Sequence, residues 1–350
     1  MTVDTVCLFT TIRAPLADTL AFVNYHLNTG IDHIYMFFDD PDDPAVDVLS
    51  LEKRVTCIRC DNGYWANLAG NLPKSGLSIN VKQEINSQVA IKKSRENCYT
   101  WICHLDSDEL IYAVGGFKKA IAALKPDVQV AKFPVLEVIP EKLSVQMAYQ
   151  ELHFFKHAPL TRPKNNSLYH LSPNENFFFY LRNTLYWTRI IRAFLLGCNQ
   201  VFKDYIKGHL TGKSIVRTNA PIVSFGPHFP KPAEHECLQM NLLPKVKLLH
   251  YDSPDYDHWK TKWYIRYMNM QNGVIPVHFS VHRKKQFEQF IKVYKQGNEE
   301  DLITLFKTTL FISASDRTIL QKTGLVSEIH LPDYLFASAS DNNRSESAHS

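Results

Sequence analysis

No stretch of about 18 uncharged apolar residues occurs in this 350-residue chain, so no membrane-spanning helix is expected. The start, MTVDTVCLF, lacks a basic region followed by a long apolar one, and no signal peptide is expected. Cysteine is sparse and odd in number: seven, at Cys7, Cys57, Cys60, Cys98, Cys103, Cys198 and Cys237. A small disulfide scaffold needs a denser, even set, so the thiols are expected to be reduced and the chain cytoplasmic. Cys57 and Cys60 form a lone CxxC without the second pair a zinc site requires, and are expected to be plain strand thiols. Charge is nearly balanced, 39 basic against 35 acidic residues, which gives no support to a nucleic-acid partner. GxGxxG, GxSxG and HExxH are all missing, so dinucleotide dehydrogenases, α/β-hydrolases and zincins have no motif support. GHLTGKS (208–214) resembles a phosphate-binding loop, but its glycines are one residue too close and no apolar strand precedes it.

What is present is an ordinary globular balance, 45% hydrophobic and 21% charged. Apolar runs at Val6–Phe9, Ile34–Phe38, Val55–Ile58 and Thr100–Leu105 alternate with helical patterns. One pattern carries Leu16, Leu20, Val23 and Leu27 and stops at Gly30; another runs from Ile79 to Glu96. Apolar strands separated by helices predict an α/β domain with a mostly parallel sheet flanked by helices. Ligands of such sheets sit beyond the carboxyl ends of the strands, which points to the residues after each run. Further on, Val128–Val138 and Glu151–Lys156 are expected to be strands, 159–176 a loop and 177–206 a helix. Helices are expected near 255–269, 284–295 and 299–310, and the polar tail 338–350 is expected to be disordered. Residues 1–265 form the expected main domain and 266–337 a helical C-terminal extension.

The strongest chemical signal is His104-Leu105-Asp106-Ser107-Asp108-Glu109. Aspartates at i and i+2 in extended backbone present both carboxylates on one side, and such hard oxygen ligands suit Mg²⁺ or Mn²⁺. The same spacing recurs at Asp40/Asp42 and Asp255/Asp257. Those pairs lie in a proline-interrupted loop and at a helix start, where acids are ordinary. Only Asp106/Asp108 closes an apolar strand.

HLDSDEL after an apolar strand resembles the DxD signature of family 2 glycosyltransferases of the GT-A fold. The opening LFTTIRAPLADTLAFVNYHLNTGIDHIYMFFDD is similar to that group's first βαβ unit. GKSIVRT (212–218) followed by Pro227-His228, and LLHYDSPDYDHWKTKW (248–263), resemble a subgroup, and together the likeness spans roughly residues 3–265. It implies a GT-A-like fold and inverting transfer of a sugar from a nucleotide sugar, with UDP the favoured nucleotide, to a glycan, lipid or protein hydroxyl. Asp106, Asp108 and His250 would hold Mn²⁺ or Mg²⁺, and Lys262 would contact phosphate. Asp39 would face the nucleoside above Thr11 and Arg13, with Gln83 or Gln88 reaching in from the preceding helix. His228 is a further site candidate. The general base that inversion needs is not evident; Glu109, Glu137, Glu234 and Asp255 are the candidates. Two rivals stay open: a nucleotidyltransferase on a similar sheet, and a non-catalytic nucleotide-binding module. The aromatic and basic stretch 177–206 leaves peripheral contact with the membrane inner face open as well.

Overall fold

The structure is a computed structural model that describes residues 4–68, 77–161, 166–203, 211–273 and 281–338. The expected disordered tail lies outside the described residues, apart from Ser338. The first third alternates as its hydrophobic pattern dictates: β1 (Val6–Ile12), α1 (Leu16–Asn28), β2 (His33–Phe38), α2 (Ala45–Leu49), β3 (Val55–Arg59), α3 (Asn62–Leu68), α4 (Ile79–Glu96) and β4 (Trp101–His104). Gly30, at φ +107°, lets the chain turn out of α1 in a left-handed conformation that a side chain resists. The four strands pair in parallel, in the order β3-β2-β1-β4. Every residue of β1 is buried, as expected of a strand covered on both faces.

The chain then changes sheet. β5 (Glu109–Ala113) follows β4 after only four residues but belongs to a second sheet. α5 (Phe117–Ala122), β6 (Val130–Phe133), β7 (Val135–Val138), α6 (Ala148–Glu151), β8 (Phe154–His157), β9 (Tyr169–Leu171) and the long α7 (Pro173–Leu195) come next. The single strand expected over 128–138 is in fact two, split at Pro134. Proline has no N–H for a ladder, and the chain leaves the large sheet there for the smaller one. The expected loop 159–176 contains β9 and the first turn of α7. Ser172 caps that helix by accepting from the Glu175 N–H, with Pro173 at its first position.

β10 (Lys213–Arg217), β11 (Ile222–Phe225), β12 (Pro230–Pro232), β13 (Leu238–Leu242) and β14 (Val246–His250) complete the sheets, except for a late edge strand. The large sheet has the order β3-β2-β1-β4-β10-β6-β13-β9. Only β10 runs against its neighbours, so the sheet is mostly parallel, with helices packed on it. Gly212 leads into β10 so close to β6 that a methyl group there would lie 1.9 Å from the Phe133 carbonyl oxygen. β11 and β12 form a small hairpin sheet of their own.

The C-terminal part is helical: α8 (Tyr256–Gln271), α9 (Val281–Tyr294), α10 (Glu299–Leu310) and α11 (Ala314–Lys322), followed by β15 (Val326–Glu328). Trp259 and Trp263 of α8 share a core with Phe287, Phe290 and Phe306 of the next two helices. The boundary expected at residue 265 therefore falls inside α8. The segment after α11 returns to the main body, where Ile329 and Leu331 join its largest core. β15 closes the second sheet, of order β15-β8-β7-β14-β5.

Candidate active site at the crossing between the two sheets

Residues 105–108 carry the chain from β4 in the large sheet to β5 in the small one, so the aspartates sit at the seam, beyond the carboxyl end of β4. The turn is closed locally: the Glu109 N–H donates to the Asp106 carbonyl (3.1 Å), and the Asp106 N–H donates to Glu109 Oε2 (2.8 Å). β14 lies antiparallel to β5 with His250 opposite Glu109, and the Tyr251 N–H donates to the Asp108 carbonyl (2.8 Å). Sequence positions 106–109 and 250–252 are thereby brought to one place.

The two aspartates face different partners. Asp106 Oδ2 accepts from the Lys213 ammonium at 2.7 Å, and its Oδ1 from the Gln83 amide at 2.6 Å. Lys213 is 1% exposed and also lies 3.1 Å from Glu109 Oε2, besides donating to the Pro227 carbonyl at 2.8 Å. Burial works against ionising Asp106, yet the charge of Lys213 holds its carboxyl well below the usual range. Glu109 goes the other way: burial pushes its carboxyl up to about 8, Lys213 opposing and the charges of Asp106 and Asp108 adding. His104, buried beside this group, is held neutral, its value pressed to about 3 by burial first and Lys213 second.

Asp108 belongs to a second cluster. One ligand atom each from Asp108, His250 and Asp252 lies within 4.8 Å of the others. His250 Nε2 is 3.7 Å from Asp108 Oδ2. The Lys262 ammonium, from α8, sits between the acids, 2.9 Å from Asp108 Oδ2 and 2.6 Å from Asp252 Oδ1. Arg283 of α9 holds the other Asp252 oxygen at 2.9 Å. Two carboxylates and an imidazole are a hard donor set of the kind that suits Mg²⁺ or Mn²⁺.

A polar floor lies beside these clusters, under the ends of β1 and β2. Asp39 is paired with Lys82 of α4 at 2.7 Å. Tyr64 donates to Asn86 Oδ1 (2.7 Å), and Asn86 donates to the Thr11 hydroxyl (2.8 Å). Tyr64 thus joins a hydrogen-bonded chain, while Trp65 is buried core.

The sequence-expected residues fall out as follows. Asp106, Asp108, His250, Lys262 and Gln83 converge on the seam, and Asp39 and Thr11 line the floor. Arg13 is exposed, as is Gln88, which projects from α4 away from Gln83. Of the base candidates, Glu109 is held by Lys213, and Glu137 on β7 is paired with Lys156 at 2.6 Å, both buried. Asp255 caps α8 by accepting the His258 N–H, and Glu234 is almost fully exposed beside His235. Asp106 does not join the Asp108–His250 cluster; Asp252 does. Asp252 and Lys213 were missed. The signal for Asp252 is an acid two residues after His250 in HYD. Lys213 lies in the segment set aside as an imperfect phosphate loop, and its acidic partners are more than a hundred residues away in sequence.

No family model matches the chain. Two curated proteins of Arabidopsis thaliana, both named glycosyltransferase-like, are similar to it. One is 28% identical over 170 residues, covering 43% of this chain and 33% of that protein; the other is 26% identical over 201 residues, covering 51% and 44%. The chain thus spans less than half the length of these relatives. Among solved structures, the mannosyltransferase Ktr4p of S. cerevisiae matches at 12% identity over 40% of each chain, with a TM-score of 0.26. HddC of Yersinia pseudotuberculosis matches at 11% identity over 74% of this chain and 97% of its own, with a TM-score of 0.32. Overlaps that loose carry no argument, and the α/β assignment rests on the strand order itself.

Proposed function

We propose that the protein is a metal-dependent glycosyltransferase of GT-A type that takes its sugar from a nucleotide sugar, with UDP the first nucleotide to test. The observation that carries this reading is the cluster of Asp108, His250 and Asp252 around the Lys262 ammonium, placed where ligands of a parallel sheet bind. The glycosyltransferase-like relatives support it.

In this reading Asp108, His250 and Asp252 hold Mn²⁺ or Mg²⁺. When bound, the ion would neutralise charge growing on the nucleoside diphosphate leaving group. Lys262 is about one-third exposed and supplies an ammonium to the same phosphates. Asp106 is fixed between Gln83 and Lys213, so it keeps its negative charge and its orientation at the nucleotide side of the seam. Asp39, Thr11, Asn86 and Tyr64 form the floor on which the nucleoside rests.

The test is a thermal-shift series with UDP and GDP, each with and without Mn²⁺, on the parent and on Asp108→Asn, followed by release of nucleoside diphosphate from nucleotide sugars. A ligand that binds only the folded state raises the melting temperature. A metal-dependent rise with one nucleotide, absent in the variant, is expected. No rise with either nucleotide in Mn²⁺ would sink the proposal. Release of pyrophosphate from a nucleoside triphosphate and a sugar phosphate would replace it with nucleotidyl transfer.

A further inference from the structure

α7 has two faces of different chemistry. Phe179, Tyr186, Ile190 and Ala193 are buried against the body. The outward face carries Phe177, Tyr180, Leu181, Trp187, Ile191 and Leu195, each between 41% and 77% exposed. No Asp or Glu occurs from Asn176 to Lys203, whereas Arg182, Arg189, Arg192 and Lys203 do. Soluble monomers rarely leave so many large apolar side chains together in water.

Under one edge of the same helix is a cavity of about 280 Å³, lined by His157, Arg182, Asn183, Tyr186, Arg189 and Lys247, among others. Three of these six, Arg182, Arg189 and Lys247, can carry positive charge, His157 is held neutral by burial first, which presses it to about 4, and no carboxylate lines the cavity among the described residues. None of these four side chains makes an ion pair among the described residues. Arg189 donates to the Gly324 carbonyl at 3.2 Å, and the His157 ring meets the Ser327 hydroxyl at 2.7 Å. The charged neighbours that act on Lys247 are Arg182 and Arg189, and those that act on His157 are the same two and Lys247. Burial first and this mutual repulsion second press Lys247 down to about 8. Asn183 clamps the wall by bonding both the Leu160 N–H (2.8 Å) and the Leu160 carbonyl (3.0 Å), so the pocket is shaped by fixed backbone. A concentration of cations without a compensating acid is a site for an anion of high charge density, and guanidinium forks match phosphoryl oxygens.

We propose that this pocket binds a phosphate group carried on a lipid, with the aromatic outer face of α7 lying in the interface of an anionic membrane. The pocket supplies the headgroup contact, and Trp187 and Tyr180 are side chains of the kind that settle at the membrane–water boundary. The site is separate from the seam: Lys247 precedes His250 by three residues on β14, which puts them on opposite faces of the strand, about 10 Å apart along it.

The test is vesicle flotation in EDTA, which keeps the seam free of divalent ions. Vesicles are phosphatidylcholine alone, or phosphatidylcholine with phosphatidic acid. Inorganic phosphate serves as the soluble probe, read by thermal shift and as a competitor. The parent is expected to float with the phosphatidic acid vesicles and not with the neutral ones, and millimolar phosphate is expected to reduce the bound fraction. The double variant R182A/K247A is expected to lose at least tenfold in binding and to lose its phosphate shift. The double variant W187S/I191S, altered only at half-exposed positions, is expected to lose flotation and to keep the phosphate shift. Equal flotation on neutral vesicles, or none on either, overturns the proposal. Phosphate binding without flotation makes the pocket a soluble-anion site and overturns the lipid assignment. A parent that sediments as a dimer, with W187S/I191S a monomer, assigns the face to a second copy and overturns it as well.

Discussion

Replacing Lys213 by methionine keeps nearly the full length of the side chain and removes its charge. In the parent that charge is 1% exposed and satisfies Asp106 at 2.7 Å and Glu109 at 3.1 Å. Glu109 can become neutral, because its carboxyl already stands at about 8. Asp106 cannot do so as easily, because Lys213 is what holds its carboxyl low. Lys213→Met therefore leaves one uncompensated carboxylate in a half-buried turn. Breaking a fully buried pair costs about 3–5 kcal/mol, and with Asp106 34% exposed about 2–3 kcal/mol is expected here. For a chain of this length that corresponds to roughly 3–4 °C in apparent melting temperature. Scanning calorimetry at pH 7 reads the shift. The double variant Lys213→Met/Asp106→Asn removes the orphaned charge and is expected to recover more than half of the loss, since the two sites share one interaction. A single variant within about 1 °C of the parent, or a double variant no more stable than the single, would refute the electrostatic account of this turn.

His250→Ala and Asp252→Asn are each expected to lower the affinity for Mn²⁺ by tenfold or more, read by titration with nucleotide present, while Gln88→Ala leaves it unchanged. His26 is wholly buried; it meets the Phe22 carbonyl through Nδ1 and accepts the Ile111 N–H at Nε2, so it is neutral, and burial presses its value to about 4. Below pH 6.5 the unfolded chain takes up the proton and the folded one does not, so stability is complete above that pH. It falls as pH drops to about 4, by on the order of 3 kcal/mol at the limit. Urea unfolding across that window is expected to show a fall smaller by this amount in His26→Gln, and identical slopes would contradict the assignment. Gly212→Ala, which drives a methyl group into the Phe133 carbonyl, is expected to abolish soluble expression. Gly115→Ala, at φ +85° with open space around it, is expected to cost only about 1–2 kcal/mol in the same assay of stability.

The parallel half of the fold was legible because each strand is apolar throughout and each helix repeats at its own period. Local signals of that kind specify β1 to β4 and the loop after β4 that carries Asp106 and Asp108. The rest resisted for identifiable reasons. β9, β12 and β15 are three residues each, too short to show a period. β5 begins with Glu109, directly after the DxD pattern, so its start was hidden by the motif. The split at Pro134 depends on which sheet each half joins, and no local pattern encodes that choice. Asp252 and Lys213 have the same origin: each becomes a site residue only through the pairing of strands distant in sequence, β14 with β5 and β10 with β4.

The two lysines at the seam divide its work by their exposure. Lys213 is sealed, with every hydrogen-bonding direction of its ammonium taken by Asp106, Glu109 and the Pro227 carbonyl. Moving it would bury unpaired charge, so it behaves as part of the scaffold and fixes Asp106. Lys262 makes pairs of similar length but is about one-third exposed, so water can replace protein around it as it swings away. In the proposed function its charge would pass from carboxylates to phosphates at small cost, leaving Asp108 and Asp252 free for a metal ion. The two acids thus differ in what holds them: Asp106 is locked by a buried partner, and Asp108 is paired with one at the solvent edge.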